Sequence, residues 1–523
     1  MEFSLSLIVA QMLAHWWVTL AGVVAGILIG ATPGLTSSNC TAIMLPFILA
    51  LRPVTGVIFV ISLHAGSQVG NSFPAILLNI PGTPSAAVTT IEGHALARLG
   101  QASRALGVCV FGSVFGGIFG GLASIMLIPW LAPVALRFSP VELTVIILFG
   151  IVVIGPISRG SLIKGLVSGL FGLLVSTSGP DPMWGRFRGT FGLVELYDGV
   201  PLVPALVGLM AFSELISLVF KGQTDRPTAL QSITMKEILK GGLDVIKRPI
   251  ESFRSSIIGL IVGIIPGAGG SVASALAYQQ AAVFATKKEA PKFGKGSVNG
   301  LLAADASNNA MIGGALITLF LLAIPGSSTD AVLLVALTYH GLVMGPEFFH
   351  MNGDLAWAAL SSQFAAAFFC GLCGVLLAYV MGRMVNVKLI ILIPFISVLT
   401  FIGGFASMGL TFGIYVMLVC GLLGYYMKKH GYVPLAFLMG LVLGGQLEAN
   451  FFRGYRMGHR SFSIFFESPI ALTVWGLMLI TLLSPLLRSL FAKRAPAPTP
   501  APFPDAGTPD DQADEPLAGA SGR

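Results

Sequence analysis

Charge is what this sequence has least of. Only 10% of its 523 residues are Asp, Glu, Lys or Arg, against roughly 25% in an ordinary soluble domain, while 55% are hydrophobic and the mean hydropathy is +0.86. Such a composition excludes a water-soluble globular chain. The apolar residues gather in stretches of about 17 to 25, each long enough to cross a ~30 Å hydrocarbon core as a helix, and these recur to about Phe491. The short alternating segments of a membrane β-barrel are missing. The expectation is an all-α polytopic membrane protein of about twelve spans, broken or re-entrant segments included.

Catalytic signatures are also missing. There is no Walker loop, no His-x-x-x-His metal pair and no nucleophile with a plausible base nearby, so the chain is not expected to be an enzyme or to need a cofactor. Cysteine is sparse, and Cys40, Cys109, Cys370, Cys373 and Cys420 all lie in apolar surroundings. Cys370-x-x-Cys373 has no partner pair of His or Cys nearby and reads as packing, since free cysteine behaves as a small buried hydrophobe. The start, MEFSLSLIVAQMLAHWW, lacks the charged n-region and cleavage site of a secretory signal and is taken as part of the first membrane segment. The formal charge of +7 comes from basic residues between apolar spans. That pattern reports membrane orientation, not a nucleic-acid partner.

The longest polar interruption, Lys221 to Arg254, carries Lys236, Lys240, Lys247, Arg248 and Arg254 and is expected to be cytoplasmic. Within it Met235, Ile238, Leu239, Leu243 and Ile246 keep helical spacing, which predicts an amphipathic helix on the membrane surface. It divides the chain into a first membrane repeat (1–220), this loop (221–255), a second membrane repeat (256–492) and a Pro/Ala/Asp-rich tail (493–523) expected to be disordered and cytoplasmic.

Proline-glycine pairs are what the apolar spans do contain. ATPGLTSS (Ala31–Ser38) resembles IIPGAGGS (Ile264–Ser271), and LNIPGTPSAAV (Leu78–Val88) resembles LAIPGSSTDAV (Leu322–Val332), so each half carries two breaks. The basic loop holding Arg98 and Arg104 follows the second break of the first half. In the second half the basic loop, with Lys287, Lys288, Lys292 and Lys295, falls between the breaks. Corresponding loops then lie on opposite membrane sides, the mark of an inverted-topology repeat with broken or re-entrant hairpins; Arg52 alone goes against that assignment.

A Pro-Gly pair ends a helix at membrane depth, where irregular backbone survives only if buried in protein or lining an aqueous cavity. The freed N–H groups and half-helix dipoles suit an anion, and carbonyls and hydroxyls can hold a cation. The candidate substrate-binding residues are the neutral polar and glycine positions around the breaks: Thr36, Ser37, Ser38 and Asn39; Asn71, Asn79, Gly82, Thr83 and Ser85; Gly269, Gly270 and Ser271; Asn308, Asn309, Gly326, Ser327, Ser328 and Thr329. Of the few ionisable groups inside spans, His64, Glu214, Asp305 and Asp330, the two aspartates adjoin the breaks and are the ion-coupling candidates.

At these motifs the sequence resembles the large membrane subunit of the tripartite tricarboxylate transporters, the TctA family. The resembling stretches include GATPGLTSSNCTAIMLPF, GNSFPAILLNIPGTPSAAVTTIEGHALARLGQASRALG, GIIPGAGGSVASALAY, KFGKGSVNGLLAADASNNAMIGGALITLFLLAIPGSSTDAVLL and LGGQLEANFFR, in order from about Gly30 to Arg453. The resemblance implies a multi-pass protein of the bacterial inner membrane that works with a small four-helix membrane subunit and a periplasmic solute-binding protein. It implies import of tricarboxylates or related carboxylates with Na⁺ or H⁺ as coupling ion; a homo-oligomer is compatible with it. The sequence departs from the family pattern at Asp305, Ser307 and Asp330, beside the proposed site. A rival class, the Na⁺-translocating membrane subunit of a decarboxylase, also uses paired half-helices but predicts an ionisable relay through the spans.

Overall fold

The computed structural model describes residues 5–32, 35–157, 162–181, 185–221, 233–345, 347–384 and 389–491. The described chain is almost entirely helical, apart from two two-residue antiparallel strands, Gly179–Pro180 and Phe187–Arg188. The tail at 493–523 and positions 222–232 of the central loop lie outside the described residues. The described residues up to Leu482 make one compact unit.

The first half runs α1 (Leu5–Ala14), α2 (Trp16–Gly30), α3 (Ser37–Leu49), α4 (Pro53–Leu78), α5 (Ala86–Arg98), α6 (Ala102–Ala135), α7 (Pro140–Ile157), α8 (Leu162–Ser176), α9 (Leu202–Val207) and α10 (Ser213–Lys221), the last two joined by a π turn at Gly208–Phe212. The second half runs α11 (Met235–Ile246), α12 (Pro249–Ile264), α13 (Gly269–Val283), α14 (Val298–Leu322), α15 (Ser328–Tyr339), the short α16 (Phe348–Met351), α17 (Gly353–Met384), α18 (Leu389–Ala406), α19 (Thr411–Lys429), α20 (Pro434–Met457) and α21 (Pro469–Phe491). Among the described residues six helical segments are long and apolar enough to cross a membrane, seven if α1 and α2, bent by 66°, count as one broken span. Six further apolar helices, α3 and α15 among them, are shorter. The breaks account for two of these, because each leaves a half-helix where the sequence would otherwise support a longer one.

The two halves pack in matching pairs. α2 lies on α4 as α12 lies on α14, α3 on α4 as α13 on α14, and α4 on α17 as α14 on α6. The correspondence extends to single residues. A methyl group added to Gly26, Gly30 or Gly70 would overlap the carbonyl oxygen of Leu63, Ser67 or Ile27; at Gly259, Gly263 or Gly314 it would overlap that of Ser307, Met311 or Leu260. Aligning the Pro-Gly motifs superposes these two sets, glycine on glycine and carbonyl on carbonyl. In a membrane the lipid is as apolar as leucine, so close backbone approach through small residues, rather than hydrophobic burial, is what drives such pairs together. Each half also sends helices onto the other: α8 packs on α20, and α19 on α9 and the π turn.

The helix expected at Met235–Ile246 is present, but its apolar residues divide between two faces. Ile238 and Val245, with Gly241 and Gly242, are buried against α6, while Leu239, Leu243 and Ile246 are exposed and continue into Ile250 and Phe253 of α12. Two glycines on the docked side explain the division: they leave no side chain between the backbones. Arg104 of α6 then ties the helix down through its Nε, 2.6 Å from Asp244 Oδ2.

Candidate functional site

α4 and α14 end in the same unusual way. Asn79 and Ala323, each just before an Ile-Pro-Gly, take left-handed φ angles of 61° and 59°, a conformation that costs most non-glycine residues roughly 1–2 kcal/mol. Shortly after each, a new half-helix begins with a hydroxyl bonded to its first turn. The Thr83 Oγ1 accepts from the Ala86 N–H at 3.2 Å, and the Ser327 Oγ from the Asp330 N–H at 3.3 Å. Thr36 caps α3 likewise, accepting from the Asn39 N–H at 3.2 Å. Thr36 and Ser327 are thus Ser/Thr N-caps, and Thr83 serves the first turn of α5 from just ahead of its N-cap Ser85, because the first N–H groups of a helix have no partner within it.

The breaks converge. The Ser328 hydroxyl donates to Ser38 Oγ at 3.2 Å, joining the fourth break to the segment after the first; the Gly269 N–H donates to the Gly326 carbonyl at 3.2 Å, joining the third to the fourth. Asn71 Nδ2 donates to Ser37 Oγ at 2.9 Å, and Gly82 packs against Asn71 and the Leu35 carbonyl. Pro33 and Gly34, the first Pro-Gly pair itself, lie outside the described residues.

Between the breaks is a cavity of about 610 Å³. Twelve of the eighteen substrate-binding candidates line it: Thr36, Ser37, Ser38, Asn39, Thr83, Ser85, Gly269, Gly270, Ser271, Ser327, Ser328 and Thr329. Asn39 is only 2% exposed, yet its Nδ2 has no hydrogen-bond partner. A buried unpaired donor is costly, and this one belongs to a cavity-lining residue. The other candidates stand behind the lining. Asn71 supports Ser37; Asn308 Nδ2 donates to Gln68 Oε1 at 3.2 Å, and its own side chain fills the space over Gly270. Asn309 bonds weakly to the Asp305 carbonyl at 3.4 Å, and Gly326 abuts Ala315 and the Gly263 carbonyl. Asn79 is exposed and away from the cavity; its place is the left-handed end of α4.

Both aspartates are buried and neither lines the cavity. Asp305 accepts from Ser72 Oγ at 2.8 Å and Thr89 Oγ1 at 3.2 Å, bridging α14 to α4 and α5. Asp330 accepts from Ser327 Oγ at 2.6 Å, and its other oxygen lies 3.8 Å from His64 Nδ1, whose Nε2 is 3.2 Å from Gln68 Nε2. A polar chain thus runs from the fourth break through His64 and Gln68 to Asn308.

Three residues that matter here give little sign in the sequence: Gln68, Lys428 and Glu92. Gln68 lines the cavity from α4, and Lys428 of α19 lines it together with Glu214, one of the ionisable groups inside the spans. Lys428 ends a span like any interfacial lysine, so nothing local distinguishes it. Glu92 is the third. It is 0% exposed, and its carboxylate accepts from the Tyr278 hydroxyl and from the backbone N–H groups of Gly294, Gly296 and Ser297 at 2.6–2.8 Å. It thereby clamps the start of α14 to α5, across the two halves. A lone acid in an otherwise basic stretch, IEGHALARLG, was the available signal.

A bundle of long apolar helices, with interrupted helices meeting around a cavity of about 610 Å³, defines an all-α polytopic membrane protein. The chain belongs to the tripartite tricarboxylate transporter TctA family, whose family model matches residues 17–440. It is therefore a subunit of a tricarboxylate transporter, in a transporter rather than an enzyme family, and part of a tripartite system with other subunits and a substrate. It is 31% identical over 473 residues, 90% of this chain and 93% of the relative, to an uncharacterized 52.8 kDa protein in the TAR-I ttuC' 3' region of Agrobacterium vitis. An uncharacterized protein in the TAR-II ttuC' 3' region of the same organism is 28% identical over 236 residues, 45% of this chain and 97% of that one. No solved structure matches the chain.

Proposed function

We propose that this chain is the large transmembrane subunit of a binding-protein-dependent secondary transporter, importing tricarboxylates or related carboxylates across the bacterial inner membrane. The observation that carries this is the meeting of the breaks: Ser328 with Ser38 and Gly269 with Gly326, around a largely apolar cavity into which the breaks bring hydroxyls, amides and half-helix starts. Neutral donors at helix N-termini hold an anion without the desolvation cost of burying a permanent positive charge beside it. The basic loops are cytoplasmic, which makes the matched halves an inverted repeat and lets one half rock against the other to expose the cavity alternately. A small four-helix membrane subunit and a periplasmic solute-binding protein complete the system, with Na⁺ or H⁺ driving uptake and Asp305 and Asp330 as the coupling candidates.

The test is reconstitution in proteoliposomes with both partner subunits, measuring uptake of citrate, succinate and propionate with and without imposed Na⁺ and pH gradients. Gradient-driven carboxylate uptake that Thr83→Ala and Ser328→Ala each weaken is expected. Uptake that needs no gradient, or that both variants leave at wild-type affinity, would count against the break-centred site.

A further inference from the structure

We propose that Lys428 is a second anchor for the substrate carboxylate, with Glu214 as the counter-ion it releases, so that this ion pair is a charged gate between the break-lined cavity and an outer vestibule. The inference rests on the transporter reading above. Its starting point is that Glu214 and Lys428 line two cavities at once: the 610 Å³ cavity between the breaks, and a smaller one of about 350 Å³ formed with Ser217, Phe220, Tyr425 and Lys429. The pair therefore stands at a boundary common to both spaces.

Among the described residues, Lys428 is the one cationic side chain lining the larger cavity, and Glu214 the one carboxylate. The Nζ donates to Glu214 Oε2 at 2.8 Å and to Ser213 Oγ at 2.9 Å. An ammonium has three N–H donors, so one remains for an incoming anion. At 31% and 15% exposure, the pair is neither buried deeply enough to be locked nor exposed enough to be lost in solvent. A substrate carboxylate offers Lys428 the same chemistry as Glu214 does, so the exchange is close to balanced. An isolated lysine would trap the anion; a lysine that must be returned to Glu214 lets it go.

The backbones around the pair are in close contact. Gly208, at the start of the π turn, packs against the Met417 carbonyl, and Gly424 of α19 lies close to the Leu209 carbonyl. The two helices therefore touch through backbone, and movement is left to the long Lys and Glu stems. The π turn ends immediately before Ser213 and Glu214. Such turns insert an extra residue into the helical register and recur at functional sites. Without it the two residues would be rotated away from α19.

Because Lys428 belongs to α19 and the break hydroxyls Ser38 and Ser328 to α3 and α15, a solute gripped by both carries at least two carboxylates. The test uses the full transporter in proteoliposomes with citrate, succinate and propionate as tri-, di- and monocarboxylate probes, on wild type, Lys428→Met, Lys428→Arg, Glu214→Gln and Ser328→Ala. Lys428→Met should raise the KM for citrate and succinate about tenfold to a hundredfold and leave that for propionate nearly unchanged. Lys428→Arg should keep the preference, and Glu214→Gln should lower the KM while slowing turnover, since the anion is no longer displaced. A Lys428→Met protein with the wild-type citrate-to-propionate ratio overturns the gate even if Ser328→Ala still weakens uptake. Failure of Ser328→Ala as well would instead overturn the break-centred site. If Lys428→Met does not fold, the ratios in Lys428→Arg and Glu214→Gln decide: unchanged KM and turnover in Glu214→Gln refute the exchange.

Discussion

Glu92→Gln is the substitution whose consequence follows most directly from the geometry. In the wild type one carboxylate oxygen accepts from the Tyr278 hydroxyl (2.8 Å) and the Gly294 N–H (2.6 Å), the other from the N–H groups of Gly296 (2.8 Å) and Ser297 (2.7 Å). An amide keeps one such oxygen and turns the other position into a donor that faces two donors. Hydrogen bonds to a charged group contribute about 1.5–3 kcal/mol each, so losing two costs about 3–6 kcal/mol locally. The segment 294–297 that opens α14 should come free of α5. Hydrogen exchange of peptides covering 290–300 reads this directly, because local opening sets the exchange rate. At 1.4 kcal/mol per decade, exchange there should accelerate by about a hundredfold or more. Tyr278→Phe removes a single bond and leaves the carboxylate its three backbone donors, so it should accelerate exchange by about tenfold. Equal effects from the two variants, or an unchanged rate in Glu92→Gln, would refute the clamp.

Four other outcomes follow from the structure. Gly30→Ala and Gly263→Ala, matched positions on α2 and α12, should each lower stability by about 1–3 kcal/mol through overpacking, seen as similar drops in thermal unfolding temperature; a neutral result at one of the two would break the correspondence between halves. Gly270→Ala places a methyl group against Asn308, which Gln68 already holds, so carboxylate affinity should fall with little loss of fold, measured by binding and melting on the same preparation. Asn79→Ala should change stability by no more than about 1–2 kcal/mol, the range of left-handed strain, and leave uptake affinity as in the wild type, since Asn79 does not line the cavity. Burial pushes Asp244 up, but the hydrogen bond and charge of Arg104, then Arg248, outweigh it and hold the carboxyl below the usual carboxylate range. A depressed folded-state pKa stabilises above the unfolded value of about 3.9 and is lost as pH falls through the lower folded value. The melting difference between wild type and Asp244→Asn should therefore be full at neutral pH and shrink below about pH 4.

The class of protein was legible because it rests on local quantities. Scarce charge and long apolar stretches force a helical membrane protein, since no other backbone satisfies its own polar groups in hydrocarbon except a closed barrel. The paired Pro-Gly motifs could also be found by comparing the chain with itself, because proline and glycine interrupt a helix wherever they fall. Twelve of the eighteen substrate-site candidates line the cavity for the same reason: they sit next to a break. Asn79 lies off the cavity, because adjacency to a break in sequence does not say which way a residue faces in the folded chain.

The sequence by itself thus determined an all-helical membrane protein, the positions of the breaks and the type of polar group beside them. Only the tertiary structure decided that the breaks surround one cavity, that Asp305 and Asp330 stand behind its lining, and that Glu92 joins the halves. It also decided that Lys428 meets Glu214 across 214 positions of chain. The physical reason is that a helix break is a property of a few consecutive residues, whereas a binding cavity is made by helix packing. That packing is set by glycine-to-carbonyl contacts between segments far apart, which no local pattern of hydropathy or charge records.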